Sequence, residues 1–282
     1  MGISYSKYKL EPIEPLNRFN PSIREGCFFC LDNKFYLDYC PWEQFGDLSV
    51  DRMLSLIKSS NDIPKLFYKL FNIDEQVWRI DFKSFFNHDF KGGEYSKYLK
   101  VKGDENIDLK ETIYSHPKQL LRIDFNNSLN KDLFIKMISS IDNSDLTRID
   151  YVEDPFEITD NINSWEAISK LGVDLASDRN PDSPFSKYRI YKPGIDLVFE
   201  SVYDNPVIFS SYMGSELNLI HTYVELILHG DLSLRHGLIT PNAFKDQLDI
   251  FHNINQDRYV LKRKLLDKYY DSLKEREWKR LI

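Results

Sequence analysis

Cysteine is scarce in this chain of 282 residues, long apolar runs are missing, and lysine and arginine are outnumbered by acids. Each shortage removes a class of protein. The three cysteines are Cys27, Cys30 and Cys40. The first two have CxxC spacing, but a zinc centre needs four ligands and no second CxxC or HxxxH follows. They read as buried, reduced thiols of a strand-rich segment. No segment approaches the roughly 20 apolar residues of a membrane span, and the opening MGISYSKYKL lacks the apolar stretch of a secretory signal. The sequence therefore predicts a soluble, cytoplasmic protein with no membrane partner. With 37 Lys and Arg against 44 Asp and Glu, a net charge of -7, it offers no basic footprint for nucleic acid.

What is present is the composition of a globular chain, 42% hydrophobic and 29% charged, long enough to bury a large core. Residues 1–76 read as a small α+β unit, with strands at Cys27 to Leu31 and Lys34 to Tyr39 and a helix from Ser49 to Ser59. From Val77 onward short apolar runs recur: 77–82, 98–102, 120–125, 149–154, 173–178, 188–193, 206–211 and, weakly, 237–240. They alternate with helical patterns such as Asn130 to Ile141 and Ser215 to His229. Eight strands in alternation with helices predict an α/β fold, a (β/α)7β TIM-like barrel over 77–282 with an N-terminal α+β capping domain over 1–76. Pro181, Asp182, Ser183 and Pro184 stand where one crossover helix belongs, so that crossover is abbreviated. The tail from Gln256 to Ile282 is helical in pattern and carries both charge signs, which suits packing on the first unit or the barrel exterior.

In such barrels the reactive side chains stand at the carboxyl ends of the strands. Here five successive strand ends carry Lys102, Asp124, Glu153, Asp178 and Lys192. Any one of them is unremarkable, but three carboxylates from consecutive strands make an oxygen-rich site suited to Mg²⁺, with Mn²⁺ possible. Lys100 and Lys102, two residues apart on a strand, share a face, and repulsion between them would favour a neutral amine in one. The bland alternative is a solvated pair on an edge strand. Arg122, Asp124 and Asn126 share a face by the same period, so Asn126 can hydrogen-bond beside a ligand, and Glu153 shares its face with Tyr151. Position assigns His116, His221, His229 and His236 packing or surface roles.

The ordered set of LRIDFN (121–126), DYVEDPFE (150–157), LASD (175–178), YKP (191–193), VIFSSYMGS (207–215) and HGLIT (236–240), together with REG (24–26) and DYCPWEQFGD (38–47), resembles the enolase superfamily. Within it the set is similar to the o-succinylbenzoate synthase family of menaquinone biosynthesis. The resemblance implies that Asp124, Glu153 and Asp178 bind Mg²⁺, that Lys102 is the general base, and that Lys192 on the opposite side stabilises the intermediate. Lys100 completes the lysine pair. It further implies a small-molecule carboxylate substrate, with Ser211 at its carboxylate and Arg18 and Phe19 in a mobile lid. Two departures stand out: Arg179 follows Asp178 where many relatives carry Glu, and Tyr212, Met213 and Gly214 replace the usual small residues. The implied reaction is dehydration of 2-succinyl-6-hydroxy-2,4-cyclohexadiene-1-carboxylate to o-succinylbenzoate. The alternatives are a racemase or epimerase of N-acylamino acids or dipeptides that uses the same residues, and a non-catalytic barrel that would lack some of them.

Overall fold

The computed structural model describes residues 2–13, 23–88, 97–157, 162–179, 183–196, 205–239, 243–255 and 257–282. Arg18 and Phe19 lie outside them.

The chain begins with an antiparallel sheet of β1 (Ile3–Leu10), β2 (Arg24–Leu31) and β3 (Phe35–Tyr39). Asp32 and Asn33 turn the second hairpin with positive φ, at 51° and 55°, a conformation these two residue types tolerate. Cys27 and Cys30 are three apart on β2 and so face opposite sides of the sheet. Both are buried, as is Cys40, and burial pushes the Cys27 and Cys40 thiols up to about 12. The thiols are inert structural groups, as their scarcity and setting predict.

Two helices follow, α1 (Val50–Ser60), capped by Ser49 on the Arg52 amide, and α2 (Lys65–Gln76). The strand expected at 77–82 is not there. Val77 and Ile80 are buried at helical spacing and prolong the apolar stripe of α2 through Phe67, Leu70 and Ile73, so the segment closes that helix as a turn. The first strand beyond the cap is the unanticipated β4 (Phe85–Asn87).

Six parallel strands then succeed one another in chain order: β5 (Tyr98–Lys102), β6 (Leu120–Asp124), β7 (Ile149–Glu153), β8 (Leu175–Ser177), β9 (Tyr188–Tyr191) and β10 (Val207–Phe209). The crossovers carry α3 (Leu109–Ser115), α4 (Lys131–Ser139), α5 (Asn143–Leu146) and α6 (Ile162–Ser169), and α7 (Glu216–His229) follows β10. Between β8 and β9 the described residues hold no helix, in keeping with the abbreviated crossover. Leu121, Ile123, Val152 and Leu175 face outward and pack with Ile113, Phe134, Ile138 and Trp165 of the helices.

The arc continues from Ser210 by one bridge to Gly237, and from β11 (Arg235–His236) by a parallel pairing to β4. The last strand thus stands two residues before the predicted 237–240. Among the described residues no ladder joins β4 to β5, so the closed eight-stranded barrel is present as a six-stranded parallel arc with a short separate flank. The flank is completed by β12 (Phe251–Asn255) and β13 (Arg258–Leu261), antiparallel partners of each other, with β13 also antiparallel to β4.

The tail packs on the first unit. After α8 (Arg263–Lys274), β14 (Lys279–Arg280) pairs with β1, and Tyr270 of α8 stacks edge-on against Tyr36. One apolar core runs through Phe29, Phe67, Leu70, Tyr223, Leu266 and Leu273, binding cap, α7 and tail together. Among the described residues no helix is long and apolar enough to cross a membrane.

Candidate active site

The inner face of the strand arc is charged where an ordinary sheet would be apolar. Arg122, Asp124, Glu153 and Asp154 are all buried. Burying such groups is tolerable only when they are paired, and the pairs define the site.

Register brings them together. Lys100 lies beside Arg122, and Lys102 beside Asp124, which in turn lies beside Glu153. The Lys100 ammonium bridges two strands, 2.9 Å from Asp124 Oδ2 and 2.7 Å from Glu153 Oε2. Lys102 also pairs with Asp124, and across the arc Lys192 pairs with Asp178. All six charged residues singled out in the sequence therefore converge on one face. Lys100 is not the neutral amine that repulsion within a lysine pair would favour. Burial opposes the charge of Lys100, but Asp124 and Glu153 outweigh it and raise its pKa. Lys192 is raised against burial by Asp178 and Glu153. Carboxylates lie between the ammonium groups, so attraction replaces the anticipated repulsion.

The carboxylates diverge. Burial would raise Asp124, yet Lys100 and Lys102 hold it well below the ordinary range. Glu153 is pushed up to about 7 by burial and by the charge of Asp124. Asp154, which the sequence reading passed over, is pushed up to about 8 by burial and by Asp178 and Glu153. Its carboxylate accepts the Arg179 amide at 2.9 Å and the Asp178 amide at 3.3 Å, which fixes the strand end that carries Asp178. The sign of this role was present: a second acid followed by Pro155 at a strand end, where the chain adopts φ 40°.

Among the described residues no three His, Cys, Asp or Glu side chains form a ready-made ligand shell. The lysines occupy the space between the carboxylates. The donors still suit a hard divalent cation: Asp124, Glu153 and Asp178 set carboxylate oxygens on successive strand ends.

Supporting contacts refine the picture. The Asn126 backbone N–H donates to Asp124 Oδ1 at 3.0 Å, and its side-chain Oδ1 accepts from Arg179 Nη2 at 3.2 Å. Ser211 is buried with its amide on Gly237 O. Alternation from Ile208, which packs inward with Ile190 and Tyr151, gives the inner face to Ser210 instead. Asp196 accepts the Lys192 amide at 2.7 Å and so anchors the turn that follows β9. Beneath the site Arg122 donates to Asp150 at 2.7 Å, aimed by a bulge in β7, and its Nη1 lies 3.0 Å from His88 Nδ1.

The cap closes over one side. Arg24 donates to Cys40 O at 2.6 Å and to Met213 O, while Tyr212 donates to Asp47 at 2.5 Å. Asp38 accepts the Ser215 amide at 2.7 Å, and a Cβ on Gly214 would lie 2.4 Å from Asp38, which explains glycine there. Tyr212, Met213 and Gly214, a departure in sequence, are thus what the cap grips. A cavity of about 180 Å³ remains between the two, lined by Asp38, Cys40, Asp47, Gly194, Tyr212 and Gly214. Arg179, the other departure, sets its guanidinium 4.0 Å from the ring centroid of Phe45 in the cap.

The histidines keep structural roles. His221 pairs with Asp74, and His116 lies 2.9 Å from Thr112 O. His236 accepts from the Phe209 amide on Nδ1 and lies 3.0 Å from Asp231 O on Nε2. Burial pushes it down to about 4. Unfolding restores an ordinary value near 6.5, so the unfolded chain takes up more protons as pH falls from about 6.5 toward 4. This contribution is complete above about 6.5 and is lost through that window. The thermal midpoint measured from pH 7 to 4.5 should fall less steeply in His236→Gln than in the parent; equal slopes would refute it.

With the geometry in place, the chain can be compared with known proteins. Residues 3–70 match the family model of the o-succinylbenzoate synthase N-terminal domain. The o-succinylbenzoate synthase of Bdellovibrio bacteriovorus is 26% identical, over 97% of this chain and 96% of that one. Among solved structures, the L-Ala-D/L-Glu epimerase of Bacillus subtilis matches 92% of this chain and 95% of its own, with TM-score 0.72 and 11% identity. The Thermosynechococcus elongatus BP-1 o-succinylbenzoate synthase, complexed with Mg in its active site, matches 96% and 100%, with TM-score 0.68 and 13% identity. At such identities the structures establish the fold alone: a cap over an arc of parallel strands. Residues 3–70 thus resemble the N-terminal domain of the o-succinylbenzoate synthases, and the chain as a whole is similar to one such synthase.

Proposed function

We propose that this enzyme is a metal-dependent dehydratase that converts 2-succinyl-6-hydroxy-2,4-cyclohexadiene-1-carboxylate to o-succinylbenzoate. The observation that carries the reading is the convergence of Asp124, Glu153 and Asp178 between Lys102 and Lys192, beneath a cap matched by the synthase family. Asp124, Glu153 and Asp178 would hold Mg²⁺. When bound, the ion supplies Lewis-acid charge for the substrate carboxylate and for the enediolate that deprotonation creates.

The residues of the chain do the rest. Lys102, with half its side chain exposed, acts as the free amine and takes the proton α to the carboxylate. It then returns that proton to the departing hydroxyl on the same face, so that water leaves and the ring becomes aromatic. Lys192, largely buried and pointing in from the other side, stays an ammonium and stabilises the anionic intermediate. Lys100 holds Asp124 and Glu153 at a fixed spacing. The domain division at residue 76 belongs to the same proposal.

An epimerase reading draws on the fold of the Bacillus subtilis neighbour and uses the same lysines, so it must be tested alongside. Purified protein with Mg²⁺ should discharge the cyclohexadiene absorbance and leave the optical rotation of N-acylamino acids and dipeptides unchanged. Racemisation without dehydration would refute the proposal.

A further inference from the structure

We propose that Arg179 is a receptor for a second carboxylate on the substrate, which makes this site selective for dicarboxylates. The inference rests on the dehydratase reading, whose substrate bears one carboxylate beside the acidic proton and another at the end of its succinyl arm.

Position is the first support. Arg179 directly follows Asp178, and its side chain reaches the Asn126 side-chain oxygen, while the Asn126 backbone N–H donates to Asp124. It therefore stands at the mouth, next to two of the three candidate ligands, on the side that the cap overhangs.

Orientation is the second. The guanidinium lies 4.0 Å from the centroid of Phe45, whose ring is 5.7 Å from that of Trp42, and Trp42 is itself covered by Arg24 at 3.8 Å. A guanidinium held by its face keeps its edge, with the N–H donors, for another ligand. The planar fork then meets a carboxylate with two parallel bonds.

Charge is the third. Lys100, Lys102 and Lys192 each face an acid, whereas the exposed Arg179 side chain donates to a neutral amide, and Asp154 takes its backbone N–H instead. An anionic arm arriving at the mouth meets a cation already oriented but bonded only to neutral groups in these contacts.

The test compares Arg179→Gln and Arg179→Lys with the parent by calorimetric binding, in Mg²⁺, of o-succinylbenzoate and of benzoate, which keeps the ring carboxylate alone. Arg179→Gln should bind o-succinylbenzoate about 10- to 100-fold more weakly, the range of one charge-assisted interaction, with benzoate unaffected. KM for dehydration should rise in parallel while kcat stays within about threefold, and Arg179→Lys should recover part of the loss. Equal weakening of both acids would make Arg179 a latch for the cap and overturn the proposal, as would an unchanged Arg179→Gln or a parent with no preference for the dicarboxylate. Thermal unfolding of both variants reveals any folding defect. Failure of the parent to consume the cyclohexadiene refutes the dehydratase reading by itself, and the contrast between the two acids still decides the role of Arg179.

Discussion

Replacing Lys102 by Ala should lower kcat by about a thousandfold, within the range that a positioned general base supplies, and leave the fold intact. Lys102 stands at the open end of β5 with half its side chain in solvent, so its loss removes little packing. Lys100 makes the contrast. Only 9% of its side chain is exposed and it is bonded to both Asp124 and Glu153, so Lys100→Ala leaves two buried acids short of a counter-charge. That change should destabilise the protein by about 3–5 kcal/mol, which mixes an activity loss with a folding loss. Steady-state turnover, Mg²⁺ titration and circular dichroism on the two variants separate the roles. A fully active Lys102→Ala would mean that the base is elsewhere.

Much of this site was legible because a parallel strand that ends in a loop announces itself twice, by an apolar run and by the charge that terminates it. The runs ending at Lys102, Asp124 and Glu153 became β5, β6 and β7, with Asp178 and Lys192 just past β8 and β9. Helix starts were equally plain, since Ser49, Asn130 and Ser215 each cap the helix that follows.

What escaped depends on relations between segments. The run 77–82 has both an alternating and a helical spacing of apolar residues, and burial against the core chose the helical one. Whether two lysines repel depends on what the next strand places between them, and only register supplies that: Asp124 falls beside Lys102, and Glu153 beside Asp124. Ser211 and Ser210 cannot be told apart until the bridge from Ser210 to Gly237 fixes which residue turns inward. In sequence Arg179 is only a departure from the Glu that many relatives carry. Its partners, Asn126 and Phe45, lie 53 and 134 positions earlier in the chain, beyond the reach of local pattern.

The other large effect is expected far from the chemistry. Asp74, buried near the end of α2, should be among the residues whose removal most weakens the fold. Its Oδ2 accepts the Tyr36 amide at 2.8 Å, and its Oδ1 accepts from Tyr270 and lies 3.2 Å from His221 Nε2. One carboxylate therefore ties β3 of the cap, α7 behind the strand arc and α8 of the tail to α2. Asp74→Ala would leave a buried amide, a hydroxyl and an imidazole without their acceptor, at a cost of about 3–5 kcal/mol. For a chain of this size that corresponds to a fall in thermal midpoint of roughly 6–20 °C. Asp74→Asn should recover little, because an amide offers one oxygen to donors arriving on both sides and turns its NH₂ toward another donor. Calorimetric unfolding of the two variants checks this. A midpoint within about 2 °C of the parent for Asp74→Ala would show that the cluster contributes little beyond the apolar core around it.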